Sequence, residues 1–187
     1  MAKKNIVDQY IVADDEARVD IILDNYPGFK RKLDGYVSSL SARIQRERAS
    51  NRRRELGDLG VRVQTSGVSN PTKNEACTHA EIEEAINNGD WMTALKGSDD
   101  VLGRRAIVET IGEMRYHYTV VCGMVDGLDD NDYVVFTKYL DTHMTYDELA
   151  DFFKSTHESV KSRIYRSRAS VKQWAIPLMK SELSNCA

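Results

Sequence analysis

The sequence has little cysteine and no long apolar run, and both absences narrow the classes of protein that it can encode. Its three cysteines, Cys77, Cys122 and Cys186, are odd in number and far apart. This spacing indicates neither a disulfide framework nor a zinc site, so we expect a reducing compartment. No apolar run approaches the roughly 20 residues that a membrane span needs. Residues 1–20 also lack the pattern of a secretory signal. We therefore predict a cytoplasmic protein with no membrane partner.

Motifs that would indicate an enzyme are also missing. The sequence contains no GxGxxG, no phosphate-binding loop and no nucleophile elbow. None of its four histidines is spaced to form a metal-binding pair with another: His79, His117, His143 and His157. His117 lies beside an apolar stripe, where a hydrogen-bonded structural histidine is expected. We therefore predict that the protein is not an enzyme and has no catalytic residue, no metal site and no cofactor.

Charge is segregated along the chain, although the formal net charge is only −3. Residues 157–172 contain five lysines and arginines against one glutamate, and residues 43–54 contain six arginines against one glutamate. The remainder of the chain is correspondingly acidic. The negative total therefore does not exclude a nucleic-acid partner, because each basic segment has its own local field.

Almost every apolar pattern has the helical repeat, which predicts an all-α fold. Leu33, Val37, Leu40 and Ile44 form one apolar stripe of a helix. After Ile44 the apolar residues stop and the arginines begin, so the helix is expected to continue as a basic extension. This extension is either a solvated helix end or an auxiliary contact with DNA. The residues considered for that contact are Arg48, Arg52, Arg53 and Arg54.

A stretch rich in Gly, Ser, Asn and Pro follows the arginines and predicts a loop or linker at 57–76. Thr78 then has a glutamate, Glu81, three residues on, which predicts an N-terminal capping box. The Asn88-Gly89 pair predicts the C-terminal end of the same helix. This part of the chain is therefore expected to contain one short acidic helix.

The longest apolar pattern runs from Val101 to Leu128 and predicts a long helix with a narrow apolar seam, interrupted only by Arg104. The seam packs either inside the chain or against a second copy, and the pattern does not distinguish these alternatives. Three glycines on a neighbouring face would allow close approach of another element: Gly103, Gly112 and Gly123.

The C-terminal part of the chain predicts a helix-turn-helix. Thr145 and Glu148 form the signature of a capping box, and the helix that follows breaks after Phe153. Thr156 then caps a second helix, which is basic. A small core is expected to fix the angle between the two helices, formed by Leu149, Ala150, Phe153, Val160 and Ile164.

In this motif the N-terminal turns of the second helix enter the major groove of double-stranded DNA. The residues predicted to face the bases are His157, Glu158, Ser159, Lys161 and Ser162. Glu158 suits cytosine N4, and Lys161 suits guanine O6 or N7. The residues predicted to contact phosphate are Thr156, Arg163, Arg166, Arg168 and Lys172. Two such helices in a homo-oligomer would reach half-sites about one helical turn apart.

The string YDELADFFKSTHESVKSRIYRSRASVKQW resembles the fourth region of bacterial sigma factors. The positions that carry the resemblance are Thr156, Ser159, Val160, Lys161, Ser162, Arg163, Arg166 and Arg168. Two positions depart from it: Lys154 stands where a turn glycine is expected, and Ser155 replaces the usual apolar residue.

The element order and the string GVRVQTSGVSNPTKNEA at 60–76 resemble the ArpU/RinA-type regulators of phages and prophages in Gram-positive bacteria. This resemblance covers about residues 30–175. It implies an activator of late phage genes for packaging, structure and lysis, or a regulator of autolysin secretion, acting in a bacterial host and contacting host RNA polymerase. Two alternatives remain, a sigma-like factor that contacts RNA polymerase and a DNA-packaging subunit of the small-terminase type.

The expected organisation is a helical N-terminal region with a long central helix, followed by a helix-turn-helix that resembles sigma region four. Its segments are a helical region with an arginine-rich extension at 1–56, a loop or linker at 57–76, a helical core or oligomerisation region at 77–128, the helix-turn-helix domain at 129–176 and a tail at 177–187.

Overall fold

The computed structural model describes residues 5–55 and 71–181, without the side chains of residues 55, 71–76 and 181. Its helices are α1 (Ile6–Ile11), α2 (Asp15–Asp24), α3 (Phe29–Glu55), α4 (Pro71–Asn87), α5 (Trp91–Ala94), α6 (Val101–Asp126), α7 (Asp130–Thr142), α8 (Tyr146–Phe153) and α9 (His157–Ser181), with a 3₁₀ turn at Tyr26–Gly28. No strand occurs within the described ranges, so the predicted all-α class is confirmed. None of these helices is long and apolar enough to cross a bilayer.

The chain divides into two units that do not coincide with the predicted segments. Unit 1 combines the N-terminal part up to Arg31 with everything from Met114 onwards, and unit 2 is Lys32–Glu113. The N-terminal helices α1 and α2 therefore belong with the helix-turn-helix. Local sequence patterns do not encode this grouping, because it depends on packing between residues far apart in the chain.

Unit 1 is organised around α9, which packs against α2, α7 and α8. Its buried apolar residues include Tyr10, Val19, Ile22 and Leu23 from α1 and α2, Val135, Phe136 and Leu140 from α7, and Val171, Ala175 and Met179 from α9. The buried ring of Phe29 stacks on Tyr118 with centroids 5.1 Å apart. Burial of this apolar surface is the main stabilising contribution to the unit.

Unit 2 is built on the predicted apolar stripe of α3. All four stripe residues are buried: Leu33, Val37, Leu40 and Ile44. The other buried apolar residues of the unit include Ile82, Ala85 and Ile86 from α4, Ala94 in α5, Leu95 directly after it, and Val108 and Ile111 from α6. The arginine-rich end of α3 is thus continuous with a well-packed helix, as the sequence predicted.

Most of the apolar seam of α6 is buried within the chain. Val108, Ile111, Met114, Val121 and Val125 are each fully buried. These five side chains have no exposed surface left to offer a second copy, whereas Val101, Tyr118 and Leu128 of the same pattern are half-buried.

Arg104, which interrupts the seam, is also buried, with only 6% of its surface exposed. It donates two hydrogen bonds to the carboxylate of Glu47, at 2.6 and 2.7 Å. These bonds lower the pKa of Glu47 to about 2. The pair is charged at neutral pH and links α6 to α3 inside unit 2.

Close backbone approach occurs at one of the three predicted glycines. A Cβ atom at Gly112 would lie 2.8 Å from the Cα atom of Gly89, whose φ of 72° ends the turn after α4. Only glycine fits both positions, and the predicted end of this helix at Asn88-Gly89 is confirmed. Among the described residues, a Cβ atom at Gly123 would have no neighbour within 4 Å, and one at Gly103 would meet only the side chain of Asp100, so close approach is not seen at these two glycines.

Two predicted boundaries are wrong. Helix α4 begins at Pro71, so Thr78 lies inside the helix and is not its N-cap. Proline favours the first helical turn, and this signal outweighed the capping pattern at Thr78. Helix α9 continues through Pro177 to Ser181, into the predicted tail, although proline removes one helical hydrogen bond. The rest of the predicted linker, residues 57–70, lies outside the described residues, as does most of the string at 60–76.

Candidate nucleic-acid interface

Helix α8 begins with the predicted capping box. The backbone N–H of Glu148 donates to the hydroxyl of Thr145 at 3.3 Å, and the Glu148 carboxylate accepts from the Thr145 N–H at 2.8 Å. Hydrogen bonds from Thr145 lower the pKa of Glu148. Two backbone donors at the helix start are thereby satisfied, which confirms the prediction and fixes where the helix-turn-helix begins.

The turn after α8 is a Schellman motif centred on Lys154. The N–H of Ser155 donates to the carbonyl of Ala150 at 2.9 Å, and the N–H of Lys154 donates to the carbonyl of Asp151 at 3.3 Å. Lys154 has a φ of 51°, in the left-handed region that glycine occupies most easily. The turn therefore keeps the backbone geometry expected of a glycine in spite of the substitution by lysine.

The start of α9 and the small core behind it also agree with the sequence. The hydroxyl of Thr156 accepts a hydrogen bond from the N–H of Ser159 at 3.3 Å, as expected for an N-cap. The core residues Leu149, Ala150, Val160 and Ile164 are buried, whereas Phe153 is half-buried. The two helices are therefore held at a set angle by local packing, and α9 is presented from a rigid base.

The N-terminal half of α9 has one exposed stripe, in which positions recur at threes and fours. Its members are Glu158, Ser162, Tyr165, Arg166 and Ala169. Tyr165 is 60% exposed, although a tyrosine usually finds burial for its ring. The sequence analysis missed Tyr165, and the signal that would have found it is its position seven residues after Glu158 on the same helical face.

The five residues predicted to face bases do not occupy equivalent positions. Glu158 and Ser162 are exposed on the stripe, while Ser159 and Lys161 are half-buried beside it. His157 packs edge-on against the ring of Tyr146, with centroids 5.8 Å apart. Its ring also lies 4.0 Å from the Asp147 carboxylate. Its Nδ1 is also 3.6 Å from the carboxylate of Glu158, so His157 lies between α8 and the first residue of the stripe.

The residues predicted to contact phosphate also divide into two groups. Arg168 forms ion pairs with Asp20, at 3.3 Å, and with Asp24. Lys172 forms an ion pair with Asp20 at 2.8 Å, and Arg163 lies 3.9 Å from a carboxylate of α7. Arg168 and Lys172 thus hold α9 against α2, and their charge is already compensated by carboxylates.

Lys161 and Arg166 are different, because neither forms an ion pair with any described residue. Arg166 is exposed on the stripe, Lys161 is half-buried next to it, and the exposed Lys154 precedes them in the turn. Thr156, whose hydroxyl caps α9, is exposed between these cations. The uncompensated positive charge of the helix-turn-helix is therefore concentrated at the turn and the first half of α9.

The candidate auxiliary residues lie at the end of α3. Arg48 donates to the carbonyls of Thr93 and Ala94, at 2.8 and 3.0 Å, and so caps the end of α5. The other three, Arg52, Arg53 and Arg54, are exposed. Their position is compatible with either of the predicted roles of the extension.

The histidine beside the seam has a structural role. His117 is buried, and its Nδ1 lies 2.8 Å from the hydroxyl of Tyr10. Burial, together with the nearby charge of Arg18, lowers the pKa of His117 to about 4. The prediction of a hydrogen-bonded structural histidine is confirmed. Within the described residues, no group of three or more His, Cys, Asp or Glu side chains is arranged to hold a metal ion.

Comparison with known proteins adds no relative. No family model, no curated protein and no solved structure matches this chain. The resemblance to sigma region four and to the ArpU/RinA-type regulators therefore stays a prediction from the sequence.

Proposed function

We propose that this protein is a sequence-specific regulator of transcription that reads double-stranded DNA with the first half of α9. The observation that carries the proposal is the exposed polar stripe of α9, presented by a capped helix-turn-helix and accompanied by cations that no described carboxylate compensates. A second helix held at a set angle by a small core is the arrangement by which this motif enters the major groove.

The stripe contains groups suited to both kinds of DNA contact. Glu158 accepts a hydrogen bond from cytosine N4, and Ser162 offers a hydroxyl that donates or accepts. Lys161, at the side of the stripe, donates to guanine O6 or N7. Arg166 lies further along the helix, where a contact with phosphate positions the protein without reading sequence. The exposed ring of Tyr165 adds apolar contact next to Arg166.

The biological part of the proposal rests on the resemblance to the ArpU/RinA-type regulators. It makes the protein an activator of late phage or prophage genes for packaging, structure and lysis, working in the cytoplasm of a bacterial host with RNA polymerase. Two copies would bind successive half-sites. Because most of the α6 seam is buried inside the chain, such a dimer would form mainly through another surface.

The test is a fluorescence-anisotropy titration of the purified protein with promoter-region DNA and with random DNA, at two salt concentrations. We expect tighter, salt-sensitive binding to one promoter fragment. Glu158→Ala and Lys161→Ala should each reduce the preference for that fragment by about 1 to 3 kcal/mol, the contribution of a good base contact.

Lys30→Gln is the matched control, because Lys30 is an exposed cation near the start of α3 and is not one of the residues predicted to contact DNA. The preference of Lys30→Gln for the promoter fragment over random DNA should equal that of the wild type. If Glu158→Ala and Lys161→Ala both keep the full preference, α9 does not read bases. If the wild type binds no DNA at low salt, the proposal is wrong altogether.

A further inference from the structure

Unit 2 contains a groove between α3 and α4 that the proposed DNA-reading site does not use. The groove has a volume of about 600 Å³. Its polar lining comes from Gln45, Arg46, Arg48 and Arg52 on α3 and from Thr78 and His79 on α4. These described lining residues include three arginines, and a carboxylate lies beside them, that of Glu83, 3.8 Å from the ring of His79. The arginine side of the groove is therefore suited to an anion.

Two of the arginines are available to a ligand. Arg46 and Arg52 are exposed, and neither forms an ion pair with a described residue. A guanidinium group matches the geometry of a phosphate and donates two parallel hydrogen bonds to it. These two side chains could therefore bind phosphate oxygens without first breaking an ion pair with any described residue.

The third arginine increases the positive charge at the groove. Arg48 is committed to the carbonyls at the end of α5, yet its Nε is buried with no hydrogen-bond partner among the described residues. Burial lowers the pKa of Arg48, and the neighbouring Arg52 lowers it further, against the opposing attraction of Glu81. Among the described residues, the charge of this groove is thus only partly compensated.

We propose that the α3–α4 groove is a second phosphate-binding site, which holds the backbone of double-stranded DNA through Arg46 and Arg52. The inference rests on the proposed function for its ligand, but on different residues and on the other unit of the chain. Contacts with the backbone carry no base information, so this site would raise affinity without changing sequence preference.

The spacing of the two arginines along α3 matches the repeat of a nucleic-acid backbone. Arg46 and Arg52 are separated by about 9 Å along the axis of α3, at a rise of 1.5 Å per residue. Successive phosphates of one DNA strand are displaced by about 3.4 Å along the duplex axis, so this separation corresponds to phosphates two or three steps apart.

The experiment measures the salt dependence of DNA binding for the full chain and two double variants. Arg46→Gln with Arg52→Gln should lower the slope of log K against log salt by up to about two units, because each phosphate contact contributes about 0.9. The preference for the promoter fragment should be unchanged. Both residues are exposed, so we expect the double variant to fold, which circular dichroism and urea unfolding would verify.

Lys30→Gln with Arg31→Gln is the matched control. These two exposed cations lie at the start of α3, do not line the groove and are not among the candidate DNA contacts. The control removes the same charge from the same helix, and its slope should stay at the wild-type value. If both double variants lower the slope equally, a diffuse basic field binds DNA and the groove assignment is overturned.

A third variant separates this inference from the proposed function. Arg166→Gln should lower the slope by about one unit through α9. If Arg166→Gln lowers the slope and the groove variant does not, the groove is not a DNA site, and the proposed function stands. If Arg46→Gln with Arg52→Gln lowers the slope and Arg166→Gln does not, the groove binds phosphate and Arg166 does not. Wild-type protein that binds no DNA overturns both.

A small phosphate is distinguished from DNA by titrating the free protein with inorganic pyrophosphate. We expect pyrophosphate to bind weakly and to weaken DNA binding only at high concentration. Tight pyrophosphate binding that depends on Arg46 and Arg52, together with an unchanged slope for DNA, would make the groove a site for a free phosphate compound. That result would overturn the inference.

Discussion

The two basic segments of this chain, on α9 and at the end of α3, look alike in the sequence and differ in the structure. Four cations of α9 form ion pairs with carboxylates of α2 or α7: Arg163, Arg168, Lys172 and Lys180. On α3, by contrast, Arg46 and Arg52 form no ion pair with a described residue, although both line the same groove.

This difference shows that the number of positive charges in a segment does not give the charge available to a ligand. An ion pair in the folded chain must be broken or shared before its cation can bind phosphate, whereas an unpaired cation only exchanges water and counterions. The available charge of α9 is therefore concentrated at Lys161 and Arg166, much less than its sequence indicates.

The largest expected effect is the loss of stability on replacing Arg104, which is buried and paired with Glu47. Arg104→Ala should lower the free energy of unfolding by about 3 kcal/mol, because it removes the buried partner of Glu47 and leaves that carboxylate with only the largely exposed Arg43. Arg43→Ala is the control, since Arg43 pairs with the same carboxylate from a largely exposed position and should cost less than about 1 kcal/mol. Urea unfolding followed by circular dichroism measures both variants.

The ion pair between Arg104 and Glu47 also makes the stability of the protein depend on pH. The pKa of Glu47 is lowered from 4.5 to about 2, so its contribution is present above pH 4.5 and is lost as the pH falls towards 2. In Arg104→Ala this part of the pH dependence should be weaker. Equal losses from Arg104→Ala and Arg43→Ala would show that burial does not distinguish these two arginines.

A smaller loss of stability is expected at the ion pairs between the carboxylates of α2 and the cations of α9. Asp20→Asn removes the carboxylate shared by Arg168 and Lys172, and should lower stability by about 1 kcal/mol, since both pairs are partly exposed. If the freed cations reach DNA, the salt slope should become steeper by up to about one unit for each.

Asp15→Asn is the matched variant, because Asp15 pairs with Lys180 at the far end of α9. It should leave the salt slope unchanged. If Asp20→Asn also leaves the slope unchanged while binding DNA normally, Arg168 and Lys172 serve only to hold α9 against α2.

The smallest effect concerns Lys154, an unpaired cation in the turn of the helix-turn-helix. Lys154→Gly should raise stability by about 0.5 to 1 kcal/mol, because relief of the left-handed conformation exceeds the added entropy of the unfolded chain. His143→Gly, at the other left-handed non-glycine residue, should stabilise the protein similarly.

Lys154→Gly removes a lysine charge that His143→Gly keeps, so the two variants separate a contact with phosphate from an effect on stability. Lys154→Gly should weaken DNA binding and lower its salt slope if the turn contacts phosphate, whereas His143→Gly should leave the slope unchanged near neutral pH. A loss of stability in Lys154→Gly would show that the lysine side chain itself stabilises the turn.

Local features of the site could be read from the sequence because they depend on neighbours in the chain. The capping box at Thr145, the N-cap at Thr156 and the buried stripe of α3 each involve residues within one or two helical turns. Where two local signals competed, as at Pro71 and Thr78, the choice between them was wrong. The charge pattern of α9 does not indicate Tyr165, which is recognised only from its position on the exposed helical face.

The sequence by itself determined the all-α class, the long helix α6 and the helix-turn-helix, since helical periodicity and caps act over a few residues. Only the tertiary structure decided that most of the α6 seam is internal, that α2 compensates Arg168 and Lys172, and that arginines of α3 line a groove with α4. These outcomes depend on which elements meet across tens of residues, and that is set by packing of the whole chain. Which charges remain free to bind a partner is therefore a property of the fold.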